Sequence, residues 1–182
     1  IDGLPPGIEI DMDYINKEMA KRAPGKSILS SQRVEADSFQ ILSGYFNDRT
    51  TGAPLCAIIY NTNQHSIDYE KTKALMRPSH GDFTGWVKYK GHNDYRGGGN
   101  FSGRLTAPLV FAGAICRQVL AARDIIMGSH IKSIGQLNDE GFNITEVDSG
   151  ILNFLNESTF PVIDRKIEEA MKEAILSAKQ EK

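Results

Sequence analysis

The sequence predicts an α/β (α+β) fold organised as a single domain over residues 1–182, and three observations carry that expectation. Two short runs rich in β-type residues, SFQILSGYF (38–46) and LCAIIYN (55–61), flank a polar turn and read as strands. Segments with apolar residues three and four apart stand on both sides of them, the spacing of helices with one buried face. With 40% hydrophobic and 24% charged residues the chain has the apolar content for a packed core, which argues against a disordered polypeptide.

In chain order, IDGLPPGIEI (1–10) is a strand end and turn, after which Asp11 or Asp13 caps a helix carrying Met12, Ile15 and Met19 on one side. Pro24 and Gly25 stop it, and KSILSSQR (26–33) reads as an extended loop. NDRTTGAP (47–54) is the turn between the strands, and residues 67–76 form a short helix before Pro78. Residues 104–123 are apolar nearly all round: Leu105, Leu109, Phe111 and Ile115 supply bulk, while Ala107, Ala112 and Gly113 permit close contact. Such a helix is expected inside a layered domain. Its apolar run, 105–116, is too short for a bilayer span. A strand over 124–134, a short helix over 148–155 and an amphipathic helix over 164–180 complete the chain, with no internal repeat.

Charge is distributed unevenly. Residues 77–104 carry Arg77, Lys88, Lys90, Arg96 and Arg104 against Asp82 and Asp94, and residues 17–33 carry Lys17, Lys21, Arg22, Lys26 and Arg33 against Glu18. These segments hold seven excess positive charges in a chain of net charge -2, which leaves the remainder at about -9. A focused site for a phosphorylated or carboxylated small molecule fits that asymmetry better than a nucleic-acid backbone, which calls for a basic stripe over a whole face. A single RGG triplet is a weak sign of single-strand binding. Cys56 and Cys116 lie in apolar segments without CxxC spacing and read as two buried, reduced thiols of a cytoplasmic protein without a signal peptide. His65, His80, His92 and His130 lack metal-ligand spacing, so no metal site is expected.

The chemistry concentrates in residues 77–113. Gly97, Gly98 and Gly99 free the backbone for positive φ and for close approach to a ligand, and Ser102 is placed to cap a helix opening at Gly103. His80 lies between Arg77 and Asp82, where an imidazole can serve as a general acid toward an anionic leaving group, although by itself an isolated loop histidine reads as an ordinary surface residue. Arg22, Arg33 and Arg104 can grip phosphate or carboxylate bidentately, whereas Lys17, Lys21 and Lys26 suit an ordinary surface. Trp86 and Tyr89 read as packing residues, and Asp94 and Tyr95 as residues that shape the loop.

RPSHGDFT (77–84), NDYRGGG (93–99) and FSGRLTAPLVFAGAI (101–115) together resemble the central region of the chorismate synthase family. The resemblance extends through IDGLPPGI, KRAPGKS, SSQRVEADSFQILSGYF, TTGAPLCAIIYN and NQHSIDYEK, in the family's order and over nearly the whole chain. It departs at Ile28, where the family has a basic residue, and at Asn100, where a cation or histidine is usual. The resemblance implies a sandwich of antiparallel sheets around helices, organised as a homotetramer. It also implies 1,4-elimination of phosphate from 5-enolpyruvylshikimate 3-phosphate to give chorismate, the last common step of the shikimate pathway to aromatic amino acids. It casts His80 as the acid that assists phosphate departure, Arg22, Arg33 and Arg104 as substrate ligands, and Asn100, Phe101 and Ser102 as contacts of reduced FMN. Electrons for the flavin are implied by the same resemblance to come from NADPH or an external reductase. The family further has a Gly-Glu-Ser-His-Gly motif ahead of the IDGLPPG segment and a second half after this one, so the 182-residue chain is expected to be inactive alone. The rival is a non-catalytic module that binds anions or flavin.

Overall fold

A computed structural model describes residues 1–23, 29, 37–61, 69, 73–143 and 145–181. The chain divides into two compact units, residues 1–23 with 35–114, and residues 24–34 with 115–182. Both combine helices with small antiparallel sheets, the mixed class the sequence predicts.

The first unit begins with a segment laid along a hairpin. Gly7 N–H donates to the Thr50 carbonyl at 2.8 Å, and Thr50 N–H returns a bond to Ile8 at 2.9 Å. The buried Thr50 hydroxyl adds a bond to the Pro5 carbonyl at 2.6 Å and accepts from Ile8 N–H at 2.9 Å. Helix α1, Met12–Arg22, follows with Asp11 as its cap, the Asp11 carboxylate accepting from Tyr14 N–H at 3.0 Å. Ile15 and Met19, four residues apart, are its buried stripe.

Strand β1, Phe39–Ser43, pairs antiparallel with β4, Cys56–Ile59, from Phe39 opposite Ile59 to Ser43 opposite Cys56, with the register shifting after Ile41. Between them β2, Tyr45–Phe46, and β3, Arg49–Thr50, form a hairpin whose two turn residues, Asn47 and Asp48, both have positive φ. Polar residues that tolerate this region are what a two-residue hairpin turn requires. Gly44 connects β1 to β2 at φ +78°, and a Cβ there would lie 2.4 Å from the Leu55 Cα, so glycine is the residue that fits.

Helix α2, Asp82–Lys88, precedes a glycine-rich turn, Arg96–Phe101, that is non-helical at Gly97, Gly98 and Gly99, a short 3₁₀ turn, Gly103–Leu105, and helix α3, Thr106–Ala121. The boundary between the units falls within α3. Leu4, Ile10, Ile15, Met19, Leu55, Ala107, Phe111 and Ala114 are the buried apolar residues of the first unit, with the Phe111 ring tilted against Phe39 at 4.8 Å.

In the second unit β5, Ser133–Ile134, and β6, Leu137–Asn138, make a hairpin over Gly135. Helices α4, Ser149–Glu157, and α5, Arg165–Gln180, are capped by Asp148 and Asp164, close to their expected bounds. Ile115, Leu155, Val162 and Met171 are the buried apolar residues here.

Three expectations need correction. Residues 124–134 are a strand only at Ser133–Ile134, because the apolar run Ile125, Ile126 and Met127 is solvent-exposed and joins no sheet. Helix α3 is not enclosed: Ala107, Phe111, Ala114 and Ile115 form a buried stripe, whereas Leu105 and Leu109 are exposed, Leu109 by 70%. Together with the preceding turn it forms a 19-residue helical segment, Gly103–Ala121, which matches a membrane span by length and composition alone, a test that core helices of soluble proteins also pass. Finally, Cys56 and Cys116 are exposed. Cys56 opens β4 at the register shift, and Cys116 falls half a helical turn from Ala107, so apolar sequence neighbours do not bury either thiol. The expected helix over 67–76 and the loop over 26–33 lie largely outside the described residues.

Ile15 is fully buried, so Ile15→Ala should destabilise the fold by about 2–5 kcal/mol, through lost transfer energy and the cavity left behind. Chemical denaturation checks this, and a change below about 0.5 kcal/mol would show that α1 contributes little to the core.

Candidate functional site

Two clusters of charged side chains are built on the glycine-rich segment and its neighbours. In the first, Arg77 clasps Asp82 with two side-chain bonds, Nε to Oδ2 at 2.7 Å and Nη2 to Oδ1 at 2.8 Å, and adds its backbone N–H to Oδ2 at 3.0 Å. The Arg77 side-chain bonds hold the Asp82 carboxyl well below the usual carboxylate range against the opposing effect of burial, with further help from the Arg77 backbone and charge and from His80. His80 Nδ1 is 2.7 Å from Asp82 Oδ1 and 3.2 Å from Arg77 Nη2. An Nδ1–H donated to Asp82 fixes the ring and leaves Nε2 as its other functional atom.

The ring is also held from the glycine side. Gly98 has φ +94°, and a Cβ built there would stand 3.1 Å from both Cε1 and Nε2 of His80. Gly99 is bound as tightly by its own backbone, since a Cβ would meet the Asp94 carbonyl oxygen at 2.2 Å. Phe101 packs where α2 has no side chains, a Cβ at Gly81 or Gly85 coming within 2.6 Å or 2.4 Å of its ring. Asn100 is exposed, and Ser102 accepts a bond from Arg104 N–H at 3.3 Å as the predicted cap. The Asp94 carboxylate in turn binds Arg96 through Nε at 2.8 Å and Nη2 at 2.7 Å.

The second cluster brings together two of the three arginines singled out in the sequence. Arg22 at the end of α1 and Arg104 ahead of α3 both meet Asp37, whose side chain is fully buried. Arg22 Nη1 bonds Oδ2, and Arg104 Nη1 lies 3.2 Å from Oδ1. Arg22 Nε donates to Thr106 Oγ1 at 3.2 Å, and Arg104 Nη2 to the Tyr60 carbonyl at 3.0 Å. Burial, and secondarily the charge of Arg22, lowers the Arg104 pKa from its ordinary value. Arg33 and Ile28 lie outside the described residues.

A cavity of about 460 Å³ opens beside Arg104, lined by Ile58, Asn61, Gly97, Ser102 and Phe111 among others. It lies within the usual size of small-ligand sites and combines apolar residues with Asp94, Arg96 and Arg104 in its lining. Another, of about 700 Å³, is bordered by Arg77, Asp82, Trp86 and Tyr95. Of the predicted site residues that are described, Ser102 and Arg104 border the 460 Å³ cavity, whereas Arg22, His80, Asn100 and Phe101 line neither of these two.

The sequence profile of chorismate synthase matches residues 1–182 in full. The chain belongs to the chorismate synthase family. Its relatives include chorismate synthases of Dehalococcoides mccartyi, 47% identical over 74% of this chain and 37% of that protein, and of Methanobrevibacter smithii, 40% identical over 100% and 48%. A crystal structure of chorismate synthase shares the fold at a TM-score of 0.66 and 24% identity, covering 99% of this chain and 48% of that one. The chain thus spans less than half the length of these family members.

Asp37 is the member of the site that sequence reasoning missed. A lone aspartate just ahead of a strand carries little signal; what marks it is two cations distant in sequence converging on one buried carboxylate. A second such pair, His130 Nδ1 to Asp139 Oδ2 at 2.7 Å, ties the second unit together, because Asp139 also accepts from Ile163 and Asp164 N–H at 2.7 Å and 2.9 Å.

The depressed Asp82 carboxyl has a thermodynamic consequence. Its contribution to stability is complete above the unfolded value of about 3.9 and is lost as pH falls through the lower folded value. The stability difference between wild type and Asp82→Asn should therefore be greatest near neutral pH and shrink as pH falls below about 4, followed by urea unfolding at stepped pH. A gap independent of pH would show that the clasp contributes nothing.

Proposed function

We propose that this chain supplies the phosphate-eliminating half-site of a chorismate synthase, a carbon–oxygen lyase that converts 5-enolpyruvylshikimate 3-phosphate to chorismate. The single observation that carries the reading is the convergence of Arg22 and Arg104 on Asp37 beside a cavity of about 460 Å³ with apolar residues in its lining. The reaction breaks the C–O bond to phosphate and a C–H bond on the same ring, forming a new double bond. Its demands on the enzyme are a receptor for anionic groups, a proton for the departing phosphate and an acceptor for the proton lost from the ring carbon.

Arg22 and Arg104 are the cations for phosphate and carboxylate, since guanidiniums keep their charge where burial would neutralise an amine. Arg33 is assigned the same task on the family resemblance alone. His80 is the acid: Asp82 takes Nδ1–H, and Nε2–H serves the leaving group. Glycine at 98 lets the backbone run against the imidazole and fixes its plane.

The cavity's glycine, serine and arginine lining, together with Ile58 and Phe111, fits a planar, phosphorylated cofactor such as FMN. Ser102 and the backbone of Gly97 and Gly99 would hold it there, with Asn100 and Phe101 as neighbours in sequence. Ser102, Gly97 and Gly99 would thereby place a reduced FMN to supply transient electron density to the substrate, the reducing equivalents coming from NADPH or an external reductase. A cytoplasmic homotetramer belongs to the same reading.

Anaerobic titration of the chain with FMN, with and without the enolpyruvyl substrate, tests the proposal. Saturable, substrate-dependent quenching of flavin fluorescence is the expected result; binding without chorismate formation on reduction would favour a non-catalytic module, and no binding by folded chain would sink both readings. In the preparation that turns over, this chain alone or joined to the remainder its relatives carry, His80→Ala should slow elimination roughly a hundredfold with flavin affinity retained. An unchanged rate removes His80 from the acid role.

A further inference from the structure

Asp37 is the most deeply buried acid of the first unit's charged clusters, with no exposed side-chain surface, yet it has no place among the groups assigned to substrate, flavin or proton transfer. Its backbone takes φ +46°, a region that L residues populate sparsely and aspartate better than most. The chain therefore adopts an uncommon conformation at the residue that delivers a carboxylate between two arginines.

Two guanidiniums drawn together in a partly desolvated place repel each other, and the lowered pKa of Arg104 registers that repulsion after the larger effect of burial. Asp37 Oδ2 accepts a hydrogen bond from Arg22, whereas Oδ1 faces Arg104 Nη1 at 3.2 Å as a buried ion pair that lacks hydrogen-bond geometry. Each arginine has one further anchor: Arg22 Nε on Thr106 and Arg104 Nη2 on the Tyr60 carbonyl. Three elements, the end of α1, the entry to β1 and the start of α3, are thereby locked into one arrangement of charge with a net value of +1.

We propose that Asp37 is a positioning residue that fixes Arg22 and Arg104 side by side as a single receptor for an anionic group. This rests on the reading of the two arginines as anion ligands and goes beyond it by making their action cooperative. A pair held in place before ligand arrives loses little freedom on binding, which is where the carboxylate acts. Neutralising it raises the local charge by one and at the same time releases the arginines, so the two possible roles of Asp37 predict opposite results. A charge-balancing acid gives tighter anion binding when removed; a positioning acid gives weaker binding.

The test is titration of the 182-residue chain with inorganic phosphate, followed by ³¹P line broadening, with folding of every variant checked by circular dichroism. Wild type is measured first, and a folded wild type that takes no phosphate overturns the anion-site reading itself. Given binding, Asp37→Asn should weaken phosphate at least tenfold, and Asp37→Glu, which keeps the charge, should recover part of that loss. Unchanged or tighter binding by a folded Asp37→Asn overturns the positioning role while leaving the two arginines as ligands. Should Asp37→Asn not fold, the cycle of Arg22→Gln, Arg104→Gln and the double variant decides. A receptor that works as a pair loses about as much with one arginine removed as with both, whereas losses that multiply independently overturn the proposal.

Discussion

A carboxylate with no exposed surface between two guanidiniums is the constraint to which the first unit is built. Burying charge is costly unless every partner is in place, and removing one member of such a cluster typically costs about 3–5 kcal/mol because the others are left uncompensated. That asymmetry ties together parts of the chain that share little else. Arg22 closes α1, Asp37 leads into β1, and Arg104 sits in the turn that opens α3. Misplacing any of the three strands a buried charge, so the cluster specifies how these elements meet as well as what they can bind.

Around this anchor, glycine determines how closely the backbone approaches functional side chains. The triplet at 97–99 is not a slack connector: each residue has positive φ, Gly98 faces the His80 ring, and Gly99 leaves no room for a Cβ against the Asp94 carbonyl. Gly81 and Gly85 do the same for Phe101 from the other side. The aromatic ring sits in a slot made by absent side chains, which explains how a loop rich in glycine and charge holds a defined shape without a large core of its own. Order here comes from steric exclusion and from clasped ion pairs rather than from buried apolar area.

The parts legible in the sequence were those governed by local rules. Of the two caps offered for the first helix, Asp11 is the one used, and Ser102 caps the turn at Arg104 as expected, because a cap is a contact within a few residues. The mixed fold class followed from periodicity. His80 between Arg77 and Asp82 was legible for the same reason, all three lying within six residues. What composition could not convey was which face of an apolar helix meets a neighbour: Leu109 and Cys116 sit in as apolar a run as Phe111 yet stand on the exposed side. Asp37 was hidden because its meaning lies in contacts with residues far apart in sequence.

The charge argument itself changes once the pairs are located. By sequence, residues 77–104 hold three excess positive charges, which suggested a strongly cationic loop. In the structure Arg77 is clasped by Asp82 and Arg96 by Asp94, each through bidentate bonds, so neither guanidinium contributes a net charge of its own to an incoming anion. Lys88 and Lys90 are exposed, where solvent and salt weaken their pull. The charge that counts is the residual +1 shared by Arg22, Arg104 and Asp37, small in number but set where burial reduces screening. Placement, more than the sum of cations, sets the charge that this segment presents, and each arginine of the loop owes its orientation to a carboxylate that a charge count would simply have subtracted.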